Sequence, residues 1–156
     1  MVRVGLISDT HSTLHQAACD VLIAEKVDAI LHAGDIGKPA ILYELGAIAP
    51  VTAVLGNNDY DMPGFDLQYQ ARVTVGGVRF LVVHDFLHLD EIPEDVDVVV
   101  CGHTHRPRNE WHGSKLVVNP GSASQRRSMT HRSLAILDIP DDGDIPVFRL
   151  IQLETD

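Results

Sequence analysis

Three apolar segments, each followed closely by an acidic or amide side chain, constrain the fold of this chain more than any other feature. They cover residues 2–8, 28–33 and 51–55. Uninterrupted apolar runs are typical of parallel strands whose two faces are both covered. The segments between them carry apolar residues at helical spacing. Together they predict a strand–helix–strand–helix–strand unit with right-handed crossovers, and hence an α/β fold.

Two helices are predicted between these strands. The first has its apolar residues on one helical face, and Ser12 or Thr13 is its expected N-cap. That face consists of Leu14, Ala17, Ala18, Val21 and Leu22. The second helix is expected to begin at Pro39 and to end at Pro50. Its predicted inward side chains are Ile41, Leu42, Leu45 and Ile48.

The second half of the chain is predicted to be rich in strands. Gly76-Gly77, between residues 71–75 and 78–84, is a strong hairpin signal. Further strands are expected at residues 96–101, 116–118, 133–139 and 145–153. Residues 60–70 are expected to form a surface loop because they contain Met62-Pro63-Gly64. With no visible boundary, residues 1–156 are expected to form one domain.

Composition argues against several classes of protein. A hydrophobic content of 45% suffices for a packed core. A membrane span, which needs about 18 consecutive apolar residues, is not expected. The net charge of -10 argues against stable nucleic-acid binding and against docking on anionic lipid. The apolar contexts of Cys19 and Cys101 favour reduced, buried thiols in a cytoplasmic protein.

Five short clusters follow the predicted strands. They are Asp9-x-His11, Gly34-Asp35, Gly56-Asn57-Asn58-Asp59, His84 and Gly102-His103-Thr104-His105. Because strand ends at one edge of a sheet converge, these side chains are expected to form one site. Oxygen and nitrogen donors without a thiolate favour manganese, iron, zinc, nickel or cobalt over a soft metal. Each aspartate or asparagine alone is also an ordinary turn former, so the ordered set carries the hypothesis.

In this order the clusters resemble the motifs of the calcineurin-like metallophosphoesterase superfamily. The short chain and Asn119-Pro120-Gly121-Ser122 resemble its small bacterial and archaeal phosphodiesterase branch. The resemblance implies two mixed β-sheets packed as a sandwich with flanking helices. It also implies metal-dependent hydrolysis of a small phosphoester, with a phosphodiester as the expected substrate. A homo-oligomer would be in keeping with the resemblance. No membrane partner is expected, because the chain is acidic and has no long apolar run.

The resemblance further implies a dinuclear metal centre. Asp9, His11 and His105 would hold the first ion, and Asn57, His84 and His103 the second, with Asp35 bridging them. Manganese is the expected metal, and iron, nickel, zinc, cobalt and magnesium are alternatives. A hydroxide between the ions would attack phosphorus in line. The expected catalytic residues are Asp35, His103 and Asn58.

Several positions leave alternatives open. Asp85 stands where the superfamily often has glycine after the histidine matched to His84, and it could orient a ligating imidazole or face solvent. His84 itself could instead be a buried histidine bonded to the backbone. For His32, packing is favoured over ligation. Arg106 could reach a phosphate or lie in a solvated loop.

Other polar residues have bland alternatives too. Asn119 and Ser122 could line the pocket or form a plain turn, whereas Arg126 and Arg127 are expected at the surface or at a subunit contact. The specificity loops are expected at residues 61–70 and 86–94. No substrate can be read from their composition.

Two other functions are compatible with the same fold. A eukaryotic retromer subunit resembles it but acts as a protein-interaction scaffold with a degraded metal site. Here every expected ligand position is filled, which favours an enzyme. A DNA-repair nuclease of the superfamily would carry extra DNA-binding segments. The strongly acidic composition and the small size of this chain argue against that function.

The superfamily commonly has a histidine at the position of Asn58, where it helps to protonate the leaving group. Asparagine donates a hydrogen bond but is no proton donor at neutral pH. We therefore expect hydrolysis to favour esters with acidic alcohols, such as aryl phosphodiesters. The measurement is kcat/KM for p-nitrophenyl against simple alkyl phosphodiesters, and similar values would contradict this expectation.

Overall fold

The predicted strand–helix–strand–helix–strand unit forms the centre of the first of two sheets. The computed structural model describes residues 1–59, 62–124 and 131–153. The unit consists of β1 (Val2–Ile7), α1 (Gln16–Ala24), β2 (Ala29–His32), α2 (Pro39–Gly46) and β3 (Val51–Ala53). β1 pairs with β2 and β2 with β3, both in parallel, as predicted.

The remaining strands complete two mixed sheets. They are β4 (Gln70–Val75), β5 (Val78–Val83), β6 (Val98–Val100), β7 (Arg108–His112), β8 (Lys115–Asn119), β9 (Ser133–Ile139) and β10 (Val147–Gln152). The first sheet has the order β10-β9-β1-β2-β3, and the second has the order β4-β5-β6-β8-β7. Both contain parallel and antiparallel pairs, which confirms the expected pair of mixed sheets.

The core lies in layers because successive side chains of a strand point to opposite faces. Val4 and Leu6 of β1 belong to the same buried cluster as Phe80 and Val82 of β5, so this cluster fills the space between the sheets. α1 and α2 cover the outer face of the first sheet. The outer face of the second sheet is covered by apolar residues from the segment after β5, namely Phe86, Leu89 and Ile92.

The predicted cap of α1 was wrong. The N-cap is His15, and no side chain hydrogen-bonds to the helix start there. Ser12 has a φ of 72° and donates its backbone N–H to the carbonyl of Ile36 at 2.8 Å. This bond holds the segment in a loop against the chain that follows β2. The helix therefore begins later than Ser12 or Thr13 would have placed it.

One other boundary and one strand also differ from the prediction. α2 begins at Pro39 as expected but ends at Gly46, so Ile48 lies beyond the helix and Pro50 does not terminate it. Strand β7 was not predicted, because its polar sequence gives no apolar alternation. It lies at the edge of the second sheet, where it pairs with β8.

Both cysteines are free thiols, but only one of them is buried. Burial raises the pKa of Cys101 to about 12, so that thiol is protonated at neutral pH. Cys19 is half-buried, and for it the expectation of burial was wrong. Within the described ranges, no helix is long and apolar enough to cross a membrane.

A buried histidine ties the end of β2 to the loops that follow β1 and β2. The backbone N–H of Gly34 donates to His32 Nδ1 at 3.1 Å, so the ring proton lies on Nε2. Nε2 then donates to the Thr10 hydroxyl at 3.1 Å, which in turn donates to the carbonyl of Ile36 at 2.8 Å. The expected packing role of His32 is thus realised in the neutral state.

This neutral state predicts a pH dependence of stability. Burial lowers the pKa of His32 to about 4, so between pH 6.5 and 4 the unfolded chain binds a proton that the folded chain does not. The free energy of unfolding should therefore decrease by up to about 3 kcal/mol as the pH is lowered across that window. The measurement is the free energy of unfolding by urea at pH 7 and at pH 5, in chelator.

His32→Gln is the matched control, because its amide cannot titrate. The wild-type chain should lose about 1 to 2 kcal/mol more than the variant between these pH values. Parallel losses in the two proteins would show that His32 is not the group responsible.

Candidate metal centre

The seven predicted ligands converge at one end of the sandwich. Each follows the carboxyl end of a strand. Asp9 and His11 follow β1, Asp35 follows β2 and Asn57 follows β3, all in the first sheet. His84 follows β5, and His103 and His105 follow β6, both in the second sheet. The site therefore forms where the two sheets meet.

The first group of ligand atoms comes from Asp9, His11 and His105. Asp9 Oδ1 lies 3.7 Å from His11 Nε2 and 3.4 Å from His105 Nε2. One candidate donor atom from each residue lies within 4.8 Å of the others. Asp9 and His105 are buried, and His11 is half-buried.

The second group centres on His84. His84 Nε2 lies 3.4 Å from Asp35 Oδ2 and 3.9 Å from Asp9 Oδ1. It also lies 3.3 Å from His103 Nδ1 and 3.0 Å from Asn57 Oδ1. The structure thus brings Asn57, His84 and His103 together. It also places Asp9, which was assigned only to the first ion, within 3.9 Å of His84.

Asp35 lies between the two groups. Its Oδ2 is 3.7 Å from His11 Nε2 and 3.4 Å from His84 Nε2. A carboxylate in this position can contact two cations at once. This arrangement is the one that a bridging role requires.

The tautomer of neutral His84 is determined by its backbone contact. Nδ1 lies 2.7 Å from the carbonyl oxygen of Ala33, which can only accept, so Nδ1 carries the proton. The alternative role of His84 was that of a buried, backbone-bonded histidine, and this contact fits that role. It also directs the Nε2 lone pair at Asp35 and Asp9. Backbone bonding and ligation are therefore compatible here, because the two roles use different ring nitrogens.

Several buried atoms of the site lack a partner that a bound cation could supply. Among the described residues, three buried side-chain atoms have no hydrogen-bond partner: Asp9 Oδ1, His11 Nε2 and His105 Nδ1. The Asn57 amide oxygen also faces the Asp35 carboxylate, so the opposite amide orientation would be preferred without a cation. Buried polar atoms in folded proteins are normally paired. The donor set thus fits a metal ion.

Without a metal, protons take part of this role. Burial would raise the pKa of Asp9, but the nearby imidazoles of His105 and His11 and the hydrogen bond from Ser8 bring it well below its usual range. The contact with Asp9 raises the pKa of His11 despite burial. Burial would lower the pKa of His84, yet Asp35 and Asp9 raise it overall. The imidazoles therefore neutralise the two carboxylates.

The ligand loops have an unusual backbone. Among the described residues outside glycine, seven have a positive φ, and six of these lie in the ligand loops. The six are Asp9, His11, Ser12, Asp35, His103 and His105. The left-handed region is costly for residues that carry a Cβ atom, although Asp and His tolerate it better than most. The chain adopts it where it must turn ligands inward.

Asn58 and Asp59, in the loop after β3, hold Asp35 and the loop that carries it through contacts that the sequence did not indicate. Asn58 donates its backbone N–H to Asp35 Oδ1 at 2.9 Å and its side-chain amide to Oδ2 at 3.0 Å. Asp59 is buried and accepts backbone N–H bonds from Ile36, Gly37 and Gly56 at 3.0, 3.0 and 2.9 Å. Its carboxylate ties the loop after β2 to the loop after β3. The motif contained Asp59, but no local pattern indicated its distant partners.

The glycines of the motifs permit close contact between these loops. A Cβ atom at Gly56 would overlap Asp35 Oδ1, and one at Gly102 would overlap the Ser8 hydroxyl. Ser8 donates that hydroxyl to Asp9 Oδ2 at 2.7 Å. Bulk at either glycine would displace a candidate ligand.

Asn119 braces the histidine loop and does not line the pocket. It is buried and donates its amide to the carbonyl of Gly102 at 3.0 Å and to the Thr104 hydroxyl at 3.3 Å. Ser122 is also buried, and its hydroxyl donates to the carbonyl of Asp9 at 3.3 Å. Both residues support ligand loops from behind.

The remaining candidates lie at the rim or outside the described residues. Asp85 is 3.8 Å from His103 Nε2, too far for a hydrogen bond, and it accepts the backbone N–H of Leu87 at 3.1 Å. Arg106 is exposed. Arg126 and Arg127 lie outside the described residues.

A cavity of about 470 Å³ opens beside the second group. His84 and His103 contribute to its wall, and Tyr69 and His88 come from the two predicted specificity loops. Its volume lies in the range typical of small-molecule sites, roughly 300 to 1,000 Å³.

Comparison with known proteins gives a consistent result. The profile of the calcineurin-like phosphoesterase superfamily domain matches residues 2–142. A probable metallophosphoesterase of Methanothermobacter thermautotrophicus is 33% identical over 155 residues, covering 90% of this chain and 87% of the relative. A phosphodiesterase of Methanocaldococcus jannaschii is 27% identical over 140 residues, covering 77% and 83%.

Solved structures share the fold at lower identity. Zinc-bound wild-type Vps29 of Entamoeba histolytica matches with a TM-score of 0.72 and 20% identity, covering 98% of this chain and 100% of that one. At this identity the likeness shows the fold alone.

The backbone at His11 predicts an inverted preference between alanine and glycine. Because φ is 47°, His11→Gly should be more stable than His11→Ala by about 1 kcal/mol when chelator is present. The measurement is urea-induced unfolding of both variants. The matched control is His112 in β7, where alanine should be the more stable by about 0.5 to 1 kcal/mol. Equal stabilities at position 11 would contradict the strain argument.

Proposed function

The chain belongs to the calcineurin-like phosphoesterase superfamily, and we propose that it hydrolyses phosphodiesters with the help of two divalent metal ions. The observation that carries this proposal is the unpaired state of three buried atoms: Asp9 Oδ1, His11 Nε2 and His105 Nδ1. Such atoms are costly to bury unless a ligand satisfies them. The phosphodiesterase relative supports the choice of ester.

Each ion would have its own ligand set. Asp9, His11 and His105 would hold the first ion. The second would be held by Asn57, His84 and His103, and Asp35 would contact both. Manganese is the proposed metal, with iron, nickel, zinc, cobalt or magnesium as alternatives. Bound there, the ions would supply Lewis acidity that lowers the pKa of water and offsets the phosphate charge.

The protein's own groups would orient this chemistry. The carbonyl of Ala33 keeps the proton on His84 Nδ1 and leaves Nε2 free to ligate. Asn58 holds both oxygens of Asp35. His103, with 39% of its side chain exposed, lines the cavity and can contact a phosphate oxygen.

Water is the proposed nucleophile. The Ser8 hydroxyl lies beside the site, but it is buried and donates to Asp9 Oδ2 at 2.7 Å. That bond directs its proton inward, and burial keeps the oxygen away from a substrate in the cavity. A hydrolysis without a covalent intermediate on the protein therefore suits this arrangement.

A protein-interaction scaffold is the second candidate function. The observation that favours it is the fold shared with Vps29. Against it stand the seven filled ligand positions and their unpaired buried atoms. We further propose a single domain in the cytoplasm, a small phosphoester as partner, no stable nucleic-acid binding, and an assembly of identical subunits.

Metal removal and return tests the function directly. The chelator-treated protein should hydrolyse bis-p-nitrophenyl phosphate only after manganese, nickel, zinc, iron, cobalt or magnesium is added back. His105→Ala should lower kcat/KM by at least about a hundredfold, because it removes a ligand of the first ion.

His112→Ala is the matched control, since this exposed imidazole bonds Glu110 on the surface. It should keep the wild-type rate. A folded wild-type protein that stays inactive with every metal would refute the enzyme and favour the scaffold.

A further inference from the structure

We propose that Asp85 makes this site selective for singly charged phosphodiesters against doubly charged phosphomonoesters. The inference rests on the proposed function, and it adds a residue that sets the substrate's charge. Asp85 directly follows the candidate ligand His84. Among the described residues that line the cavity beside the second group, it is the only carboxylate.

The carboxylate is fixed beside the place where a phosphate would bind. Asp85 lines the 470 Å³ cavity, and only 17% of its side chain is exposed. Its Oδ2 lies 3.8 Å from His103 Nε2 and 3.7 Å from His88 Nε2. The Leu87 N–H donates to Oδ1 at 3.1 Å and holds the side chain in this rotamer.

Within the described part of the cavity wall, only the imidazoles of His88 and His103 lie near enough to offset this charge when they are protonated. Among the residues that the structure describes, no lysine or arginine lines the cavity. The other walls are apolar or neutral and include Leu55, Tyr69 and Val83. These walls suit an uncharged ester group, and the ring of Tyr69 can contact a flat one.

The charge of the cavity wall then favours one class of ester. Asp85 adds one negative charge beside the candidate ligands of the two ions. This carboxylate repels a doubly charged phosphomonoester about twice as strongly as a singly charged phosphodiester, and in a partly buried site that repulsion is only weakly screened. Removing the charge of Asp85 should therefore help the dianion more than the monoanion.

Asp85→Asn tests this proposal because it removes the charge and keeps the oxygen that accepts from Leu87. The metal-loaded proteins are assayed at pH 8, where a phosphomonoester is a dianion. The ratio of kcat/KM for p-nitrophenyl phosphate to that for bis-p-nitrophenyl phosphate should rise roughly tenfold in the variant. Asp20→Asn removes an exposed charge on α1, outside this cavity, and should leave the ratio unchanged.

A binding measurement separates this proposal from the proposed function. Calorimetry on the metal-loaded proteins gives Kd for phenylphosphonate, a dianion, and for its singly charged methyl ester. Asp85→Asn should tighten binding of the dianion roughly tenfold relative to the ester. Asp85→Ser, which is also neutral and keeps an acceptor, should do the same.

The outcomes are distinguishable. Unchanged ratios in both Asp85 variants, with wild-type activity present, would overturn the role of Asp85 and leave the phosphodiesterase intact. A wild-type protein that is inactive with every metal would overturn the function, and the calorimetric ratio would then decide the charge preference alone. A ratio that rises equally in Asp20→Asn would also overturn the proposal, because the effect would be one of net charge.

Discussion

The proximity of two buried carboxylates, Asp9 and Asp35, is the constraint on which the rest of the structure depends. One carboxylate oxygen of Asp9 and one of Asp35 lie within 4.8 Å of each other. Their negative charges repel each other strongly away from water, so cationic partners must surround them. His11, His84 and His105 occupy that position, and their contacts with the carboxylates raise the pKa of His11 and His84. The fold satisfies this requirement with side chains that follow strands far apart in the sequence.

Hydrogen bonds from the surrounding residues hold the loops that carry the carboxylates in place. The Asp59 carboxylate gathers three backbone N–H groups and joins two ligand loops of the first sheet. Asn119 supports the histidine loop of the second sheet. The left-handed backbone at the ligands is stable only because such bonds hold it. Rigidity here comes from buried polar contacts and not from regular secondary structure.

Much of this arrangement follows from sequence patterns, and the exceptions have physical causes. The parallel strand order follows from apolar runs, and the sheet that they form brings their polar ends to one edge. The predicted N-cap of α1 was wrong because the backbone of Ser12 bonds to that of Ile36, a tertiary contact that no local sequence pattern indicates. Strand β7 was missed in the sequence because an edge strand needs no apolar face, so its polar residues show no strand pattern. The role of Asp59 depends on loops that become neighbours only after folding.

The division of the ligands between two sheets has a consequence for how the protein folds. Neither sheet alone contains a complete site, so a cation has little to bind until the sheets have docked. Contacts so distant along the chain form late, after the cost of closing long loops. A metal would then add little to the rate of folding and would act mainly by delaying the separation of the sheets. Its stabilising effect would appear as a longer lifetime of the native state.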